Sequence, residues 1–174
     1  MRLASPNAGD VLSRLEDARA NDDVAFLLDA LRDPDLRFMA VKHLGELQAA
    51  EAVRPLIQLL GAGDRATRSA AADALASIGA HEAVAPLIER IRIEADVVPR
   101  TWAITALGRL GDKQALDPLC ELLNDDDVLV RQSAAKALGV LGFADAIEPL
   151  RSAASRERWF DRGRHRQAIR TLSR

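Results

Sequence analysis

Apolar residues recur along this chain at the three- and four-residue spacing of an amphipathic helix, in blocks of two alternating kinds. Blocks of the first kind read AVRPLIQLL at 52–60, AVAPLIERI at 83–91, ALDPLCELL at 115–123 and AIEPLRSAA at 146–154, with a Pro-less version, DVAFLLDAL, at 23–31. Blocks of the second kind read RFMAVKHLGEL at 37–47, RSAAADALASIG at 68–79, RTWAITALGRLG at 100–111 and RQSAAKALGVLG at 131–142. Alternation with period two, the mark of a half-buried strand, is missing. The pattern therefore predicts an all-α chain built from pairs of helices.

Four residue series keep these blocks in step. Asp recurs at Asp33, Asp64, Asp96 and Asp127, and Arg at Arg37, Arg68, Arg100 and Arg131. Pro recurs at Pro55, Pro86, Pro118 and Pro149, and Leu at Leu44, Leu75, Leu107 and Leu138. Every series advances by 31, 32 and 31 positions. A repeat of that length is one supersecondary unit that cannot bury its apolar face alone, so the units must stack. The expected architecture is a right-handed α-solenoid of about five helical hairpins. Units fall near 22–48, 49–79, 80–111, 112–142 and 143–174, after an N-terminal lead and capping helix at 1–21.

Local chemistry agrees with these boundaries. Pro near a helix start is tolerated because first-turn N–H groups have no partner within the helix. The recurrent Asp can cap the second helix of each pair, and Asp10 can cap the N-terminal one. Gly79, Gly111 and Gly142 stand where a left-handed helix cap wants glycine, whereas Gln48 takes that place in the first unit and predicts a different turn. Gly45, Gly108 and Gly139 recur inside the second helices, with Ala76 as the exception. A mid-helix glycine costs roughly 1 kcal/mol against alanine, so its recurrence points to close helix–helix approach. After Pro149 the pattern decays. A three-residue insertion restores it, with Ala168, Ile169 and Leu172 facing the core and a polar outer face, as a terminal cap requires.

The series D-x-x-x-R-x-x-A-A-x-A-L-G-x-L-G followed by A-x-x-P-L-x-x-L-L resembles HEAT repeats, in particular the short HEAT-like variety of phycobilisome lyases. The resemblance spans residues 22–173. It implies that the matching Asp and Arg form a structural ladder between successive repeats. It also implies a non-enzymatic scaffold whose Arg-headed helices line a concave face that binds another protein, a helix or an extended segment. The outward positions on that face are Pro34, Asp35, Phe38, Met39, Lys42 and Glu46 in the first unit. In the second they are Arg65, Ala66, Ser69, Ala70, Asp73 and Ser77. In the third they are Val97, Val98, Thr101, Trp102, Thr105 and Arg109, and in the fourth Val128, Leu129, Gln132, Ser133, Lys136 and Val140. The expected contact set is Phe38, Met39, Lys42, Asp73, Val98, Trp102, Thr105, Arg109, Leu129, Gln132 and Lys136. Packing of the apolar members against neighbouring repeats is the competing explanation.

Composition sharpens this in two places. Aromatic residues make up only 3% of the chain, with no Tyr, so Phe38 and Trp102 on a solvent-facing helix surface stand out. Charge is uneven: residues 1–150 hold 16 Lys/Arg against 24 Asp/Glu, whereas 151–174 hold eight Arg against two acids. Arg158, Arg162, Arg164, Arg166 and Arg170, with Trp159 and Phe160, offer phosphate contacts and stacking surfaces, the second functional reading. The acidic body argues against a nucleic acid wrapped along the groove.

Catalytic chemistry finds little support. His43, His81 and His165 lack metal-ligand spacing, and His81-Glu82 is a single pair at a turn, unlike the several His-Glu pairs of the HEAT-like di-iron enzyme deoxyhypusine hydroxylase. Cys120 replaces the Ile of Ile57 and Ile88 in a core pattern, and as the one cysteine it excludes an internal disulfide. Gly61-Ala62-Gly63 lies at a turn and lacks the Lys-Ser/Thr of a phosphate loop. No catalytic residue, metal or cofactor is expected. A bilin-handling role follows only from the lyase likeness, since the matching residues are repeat consensus. No apolar run has signal-peptide or membrane-spanning length, so the expectation is a cytoplasmic protein with no membrane partner.

Overall fold

The structure is a computed structural model that describes residues 8–156 and 163–173. Among these are eleven α-helices and no strand. After α1 (Ala8–Ala20) the helices pair as α2 (Val24–Ala30) with α3 (Arg37–Glu46), and α4 (Val53–Ala62) with α5 (Arg65–Ile78). They continue as α6 (Val84–Ile93) with α7 (Val97–Leu110), α8 (Leu116–Glu121) with α9 (Val128–Leu141), and α10 (Ile147–Arg156) with α11 (Gly163–Leu172). A 3₁₀ turn precedes each of α4, α6, α8 and α10, and a further one (Leu122–Asn124) follows α8.

Each first helix packs on its own second helix, and the second helices α3, α5, α7, α9 and α11 stack in succession. Contacts between successive first helices are far sparser. The stack is therefore tighter on the side of the second helices, which bends it toward that side and makes it the concave face. The chain is an all-α solenoid.

The close approach has a visible cause. A Cβ built on Gly45 would lie 2.8 Å from the Cβ of Ala74, and one on Gly108 2.8 Å from the Cα of Ala137. One on Gly139 would lie 3.0 Å from the Cα of Ala168. Each glycine thus faces an alanine 29 residues on, in the next second helix. Between the layers lies one continuous core, in which Leu44, Leu75, Leu107 and Leu138 are fully enclosed. Complete burial of one such side chain contributes about 2 kcal/mol.

The ladder aspartates set where the later second helices begin. Asp64 accepts from the Thr67 N–H at 2.8 Å, Asp96 from Val98 at 3.1 Å, and Asp127 from Leu129 at 2.7 Å and Val130 at 3.2 Å. As N-caps they start α5, α7 and α9 three residues before the ladder Arg, where the expected blocks opened at the Arg itself. Asp33 differs. Its carboxylate accepts from the Asp35 N–H at 2.9 Å, closing a turn, and α3 begins only at Arg37. Asp10 is the third residue of α1 rather than its cap. An acidic residue suits either place, because both face the positive end of the helix dipole.

Gly79, Gly111 and Gly142 take left-handed φ values of 75°, 72° and 88°. Gln48 does not make a different turn. Its φ is 52°, and Ala49 N–H donates to Leu44 O at 3.0 Å just as Ala80 does to Leu75 O. The repeat geometry imposes the same cap and holds a glutamine in backbone space that suits glycine. Gly61 and Ala62 lie within α4, and Gly63 follows it in extended conformation, so the expected Gly-rich turn is mostly helix.

Candidate functional site

Helical periodicity determines what the concave face displays. Positions i, i+4, i+7 and i+11 of a helix share one side. On α5 these are Ala66, Ala70, Asp73 and Ser77, on α7 Val98, Trp102, Thr105 and Arg109, and on α9 Leu129, Ser133, Lys136 and Val140. On α3 the same face carries Met39, Lys42 and Glu46. The α5 set is small, and the helices on either side of it carry aromatics.

A groove of about 540 Å³ follows from that difference. Its floor is α5, with Ala66, Ser69, Ala70 and Ser77, and Gly45 and Ala74 at the bottom of the α3–α5 seam. Phe38 on α3 forms one wall, and Val98 and Trp102 on α7 form the other. Phe38 is 38% exposed and Trp102 41%, well above the core residues around them. Phe38 and Trp102 thus leave apolar surface exposed on either side of a concave floor.

Most charges at the rim are already paired. Arg109 donates to Asp73 at 2.6 Å and to Ser77 Oγ at 3.1 Å, which ties α7 to α5. Arg65 meets Asp96 at 3.1 Å. Glu46 lies 3.3 Å from Nδ1 of the buried His43 and 3.8 Å from Arg19. Among the described residues Lys42 forms no ion pair, and its Nζ sits 6.0 Å from the centre of the Phe38 ring.

Of the expected contact residues, the groove brings together Phe38, Lys42, Asp73, Val98 and Trp102. Met39 is half-buried and packs on the core. The Thr105 hydroxyl donates to the Thr101 carbonyl at 2.8 Å, and Arg109 serves as the anchor of Asp73. Leu129, Gln132 and Lys136 lie on α9, one helix beyond the groove lining. Gly45 and Ala74 were not among the expected positions. Their signal was the recurrence of small residues inside the second helices, a packing signal that also opens the floor.

The ladder arginines bridge to neighbouring turns. Arg68 forms two hydrogen bonds with Glu94, 2.9 and 3.3 Å, and donates to Gly63 O at 2.9 Å. Arg100 donates to Ile91 O at 2.7 Å and meets Asp125 at 2.7 Å. Arg131 donates to the carbonyls of Asp125 and Asp126, and Arg37 to those of Leu31 and Arg32. The carboxylate that receives Arg68 or Arg100 is thus two residues before the next ladder Asp. Burial works to raise the Glu94 carboxyl, but bonds from Arg90, the Asp96 N–H and Arg68 outweigh it and hold it below its usual range. The Thr67 N–H chiefly holds the Asp64 carboxyl down as well.

At the Arg-rich end, Arg164, Arg166 and Arg170 are exposed on α11, whereas Arg158, Arg162, Trp159 and Phe160 lie outside the described residues. No group of His, Cys, Asp and Glu among the described residues could hold a metal ion, and none of the helices there is long and apolar enough to cross a membrane. Cys120 is half-buried, and burial with the nearby Asp117 charge pushes its thiol up to about 11, far from an activated nucleophile.

A family model described as HEAT repeats matches residues 24–106 and again residues 94–172. No curated protein matches the chain.

Proposed function

Since this chain belongs to the HEAT-repeat family, whose members generally serve as protein-interaction scaffolds, we propose that it binds another protein through the groove between Phe38 and Trp102. One observation carries the reading: two partly exposed aromatics, in a chain that has few, flank a floor of small side chains on the concave face. Aromatic anchors of this kind supply most of the energy of an interface, about 2 kcal/mol or more each when fully enclosed by a partner. The stacked helices hold both walls in place before binding, which lowers the ordering cost. A catalytic role gains nothing from the groove, where Asp73 is held by Arg109, Arg65 by Asp96 and Glu46 by His43 and Arg19.

The Arg-rich end is the surface to test against this one. Affinity capture from a native lysate should compare the wild type with Trp102→Glu and with a triple Arg164→Ser, Arg166→Ser, Arg170→Ser variant. The groove reading expects a specific protein that the wild type and the triple variant retain and Trp102→Glu loses. Loss only in the triple variant would move the function to the C-terminal end. The finer likeness to lyase-type repeats brings no chromophore-binding residue with it, and visible absorbance of the purified protein tests it.

A further inference from the structure

The last helix carries charges that its place in the stack does not require. Ala168 stands 29 residues after Gly139, as Ala137 stands after Gly108 and Ala74 after Gly45. So α11 stacks in the register of the repeat, without the three-residue insertion expected from the sequence. In that register Arg166 is the counterpart of Val41, Ala72, Ile104 and Ala135, all buried, and Arg170 of Gly45, Gly108 and Gly139. Those glycines receive the alanine of the following helix, whereas both arginines of α11 are exposed. A final unit needs polar side chains there, but of either sign. From Gly163 to Ser173 the chain holds Arg164, Arg166 and Arg170 and no acid. Arg164 and Arg166 fall in the first four residues of α11, at the positive end of its dipole, where α5, α7 and α9 have a capping Asp. Among the described residues none of the three forms an ion pair, whereas Arg151 of α10 is held by Glu148. Capping accounts for the polarity of this surface and not for its sign.

We infer that the exposed side of α11 binds the phosphate backbone of a nucleic acid without reading its sequence. The inference is independent of the groove. Guanidinium groups match phosphate geometry, and each phosphate they neutralise releases condensed counterions, which drives binding without any apolar contact. A protein partner would need an apolar anchor, and no large apolar side chain among the described residues of α10 and α11 is exposed. A lipid surface would hold the helix through an inserted apolar face, but Ala168, Ile169 and Leu172 pack on the core. The acids of the body, 24 against 16 Lys/Arg over residues 1–150, keep the nucleic acid at this end and out of the groove. One phosphate per arginine makes the contact weak and strongly dependent on salt.

Labelled DNA duplexes of unrelated sequence, titrated with the full chain over a salt series, test this. All should bind alike, with log K falling by about 2.7 for each tenfold rise in salt, as three neutralised phosphates require. The triple variant Arg164→Ser, Arg166→Ser, Arg170→Ser should bind roughly tenfold more weakly, or worse, at about 50 mM salt. Arg170→Ser alone should reduce the salt slope by about 1, and it carries the test if thermal unfolding shows that the triple variant does not fold. Trp102→Glu should bind as the wild type does. Polyglutamate and phosphatidylserine vesicles, added at equal charge, should leave the duplex bound. The inference is overturned if no duplex binds at about 50 mM salt, or if Arg170→Ser keeps the wild-type affinity and slope. Displacement by either competitor at equal charge would overturn the choice of phosphate backbone, and loss of binding in Trp102→Glu would move the nucleic acid to the groove.

Discussion

Arg68 reaches across the boundary between two hairpins to grip Glu94, its Nε 2.9 Å from one carboxylate oxygen and a terminal nitrogen 3.3 Å from the other. Glu94 is almost enclosed and also receives Arg90 at 2.8 Å. Arg68→Ala breaks a part-buried bridge between units and leaves Glu94 with Arg90. The expected loss is about 2 kcal/mol, read by denaturant unfolding at neutral pH.

The same node predicts a pH dependence. Glu94 binds its proton less readily folded than unfolded, so its contribution is complete above its ordinary value of 4.5. The contribution is lost as the pH falls through the lower folded value. Wild-type stability should therefore drop as the solution is acidified below that ordinary value. Glu94→Gln should be less stable at neutral pH and show a shallower acid limb. Parallel curves for the two proteins would refute the assignment.

Gly108→Ala sets two effects against each other. Alanine favours the helix by roughly 1 kcal/mol. Its Cβ, however, would meet the Ala137 backbone at 2.8–2.9 Å. Overpacking of that kind costs about 1–3 kcal/mol, and backbone cannot step aside as a flexible side chain can. A lower melting temperature is expected, and a higher one would mean that α7 and α9 are not locked together by this contact.

Gln48→Gly should act in the other direction. The position holds φ at 52°, a conformation that disfavours a residue with Cβ by about 1 kcal/mol. Glycine regains most of this but has a freer unfolded chain, leaving a net gain of about 0.5 kcal/mol. Chemical unfolding midpoints of the two proteins measure it.

Cys120 should resist a thiol-specific reagent in the folded chain. With the thiol pushed up to about 11, only about one molecule in a thousand is thiolate at pH 8. Modification should accelerate sharply once denaturant opens α8. Fast labelling of the native protein would show that the folded chain does not shield the thiol.

The fold was legible because its constraints repeat. Asp64, Asp96 and Asp127 each cap a helix, and Leu75, Leu107 and Leu138 each fill the same place in the core. The first unit departs from the pattern, and reading it by substitution misled. Gln48 kept the turn that its sister glycines make, because neighbouring contacts outweigh the local preference of one residue. Asp33 gave up its cap for a turn to Asp35, although α3 opens at Arg37, where its block was expected to begin.

The site was legible in part. The resemblance to HEAT repeats, not the periodicity, assigned Phe38 and Trp102 to the concave face. It could not give depth. Only the packing of Gly45 against Ala74 shows that the α3–α5 seam is deep enough to form a floor. Nor could the sequence pair Asp73 with Arg109, 36 residues apart.

The most direct test places a photo-activatable phenylalanine analogue at Phe38, aromatic for aromatic, and another at Glu89, an exposed position on the first helix α6. Illumination in the native lysate should join a distinct protein to the Phe38 position and not to Glu89. The cross-link should vanish when Trp102→Glu is added. The same adducts from both positions, or from the Phe38 position regardless of Trp102, would contradict a partner seated in the groove.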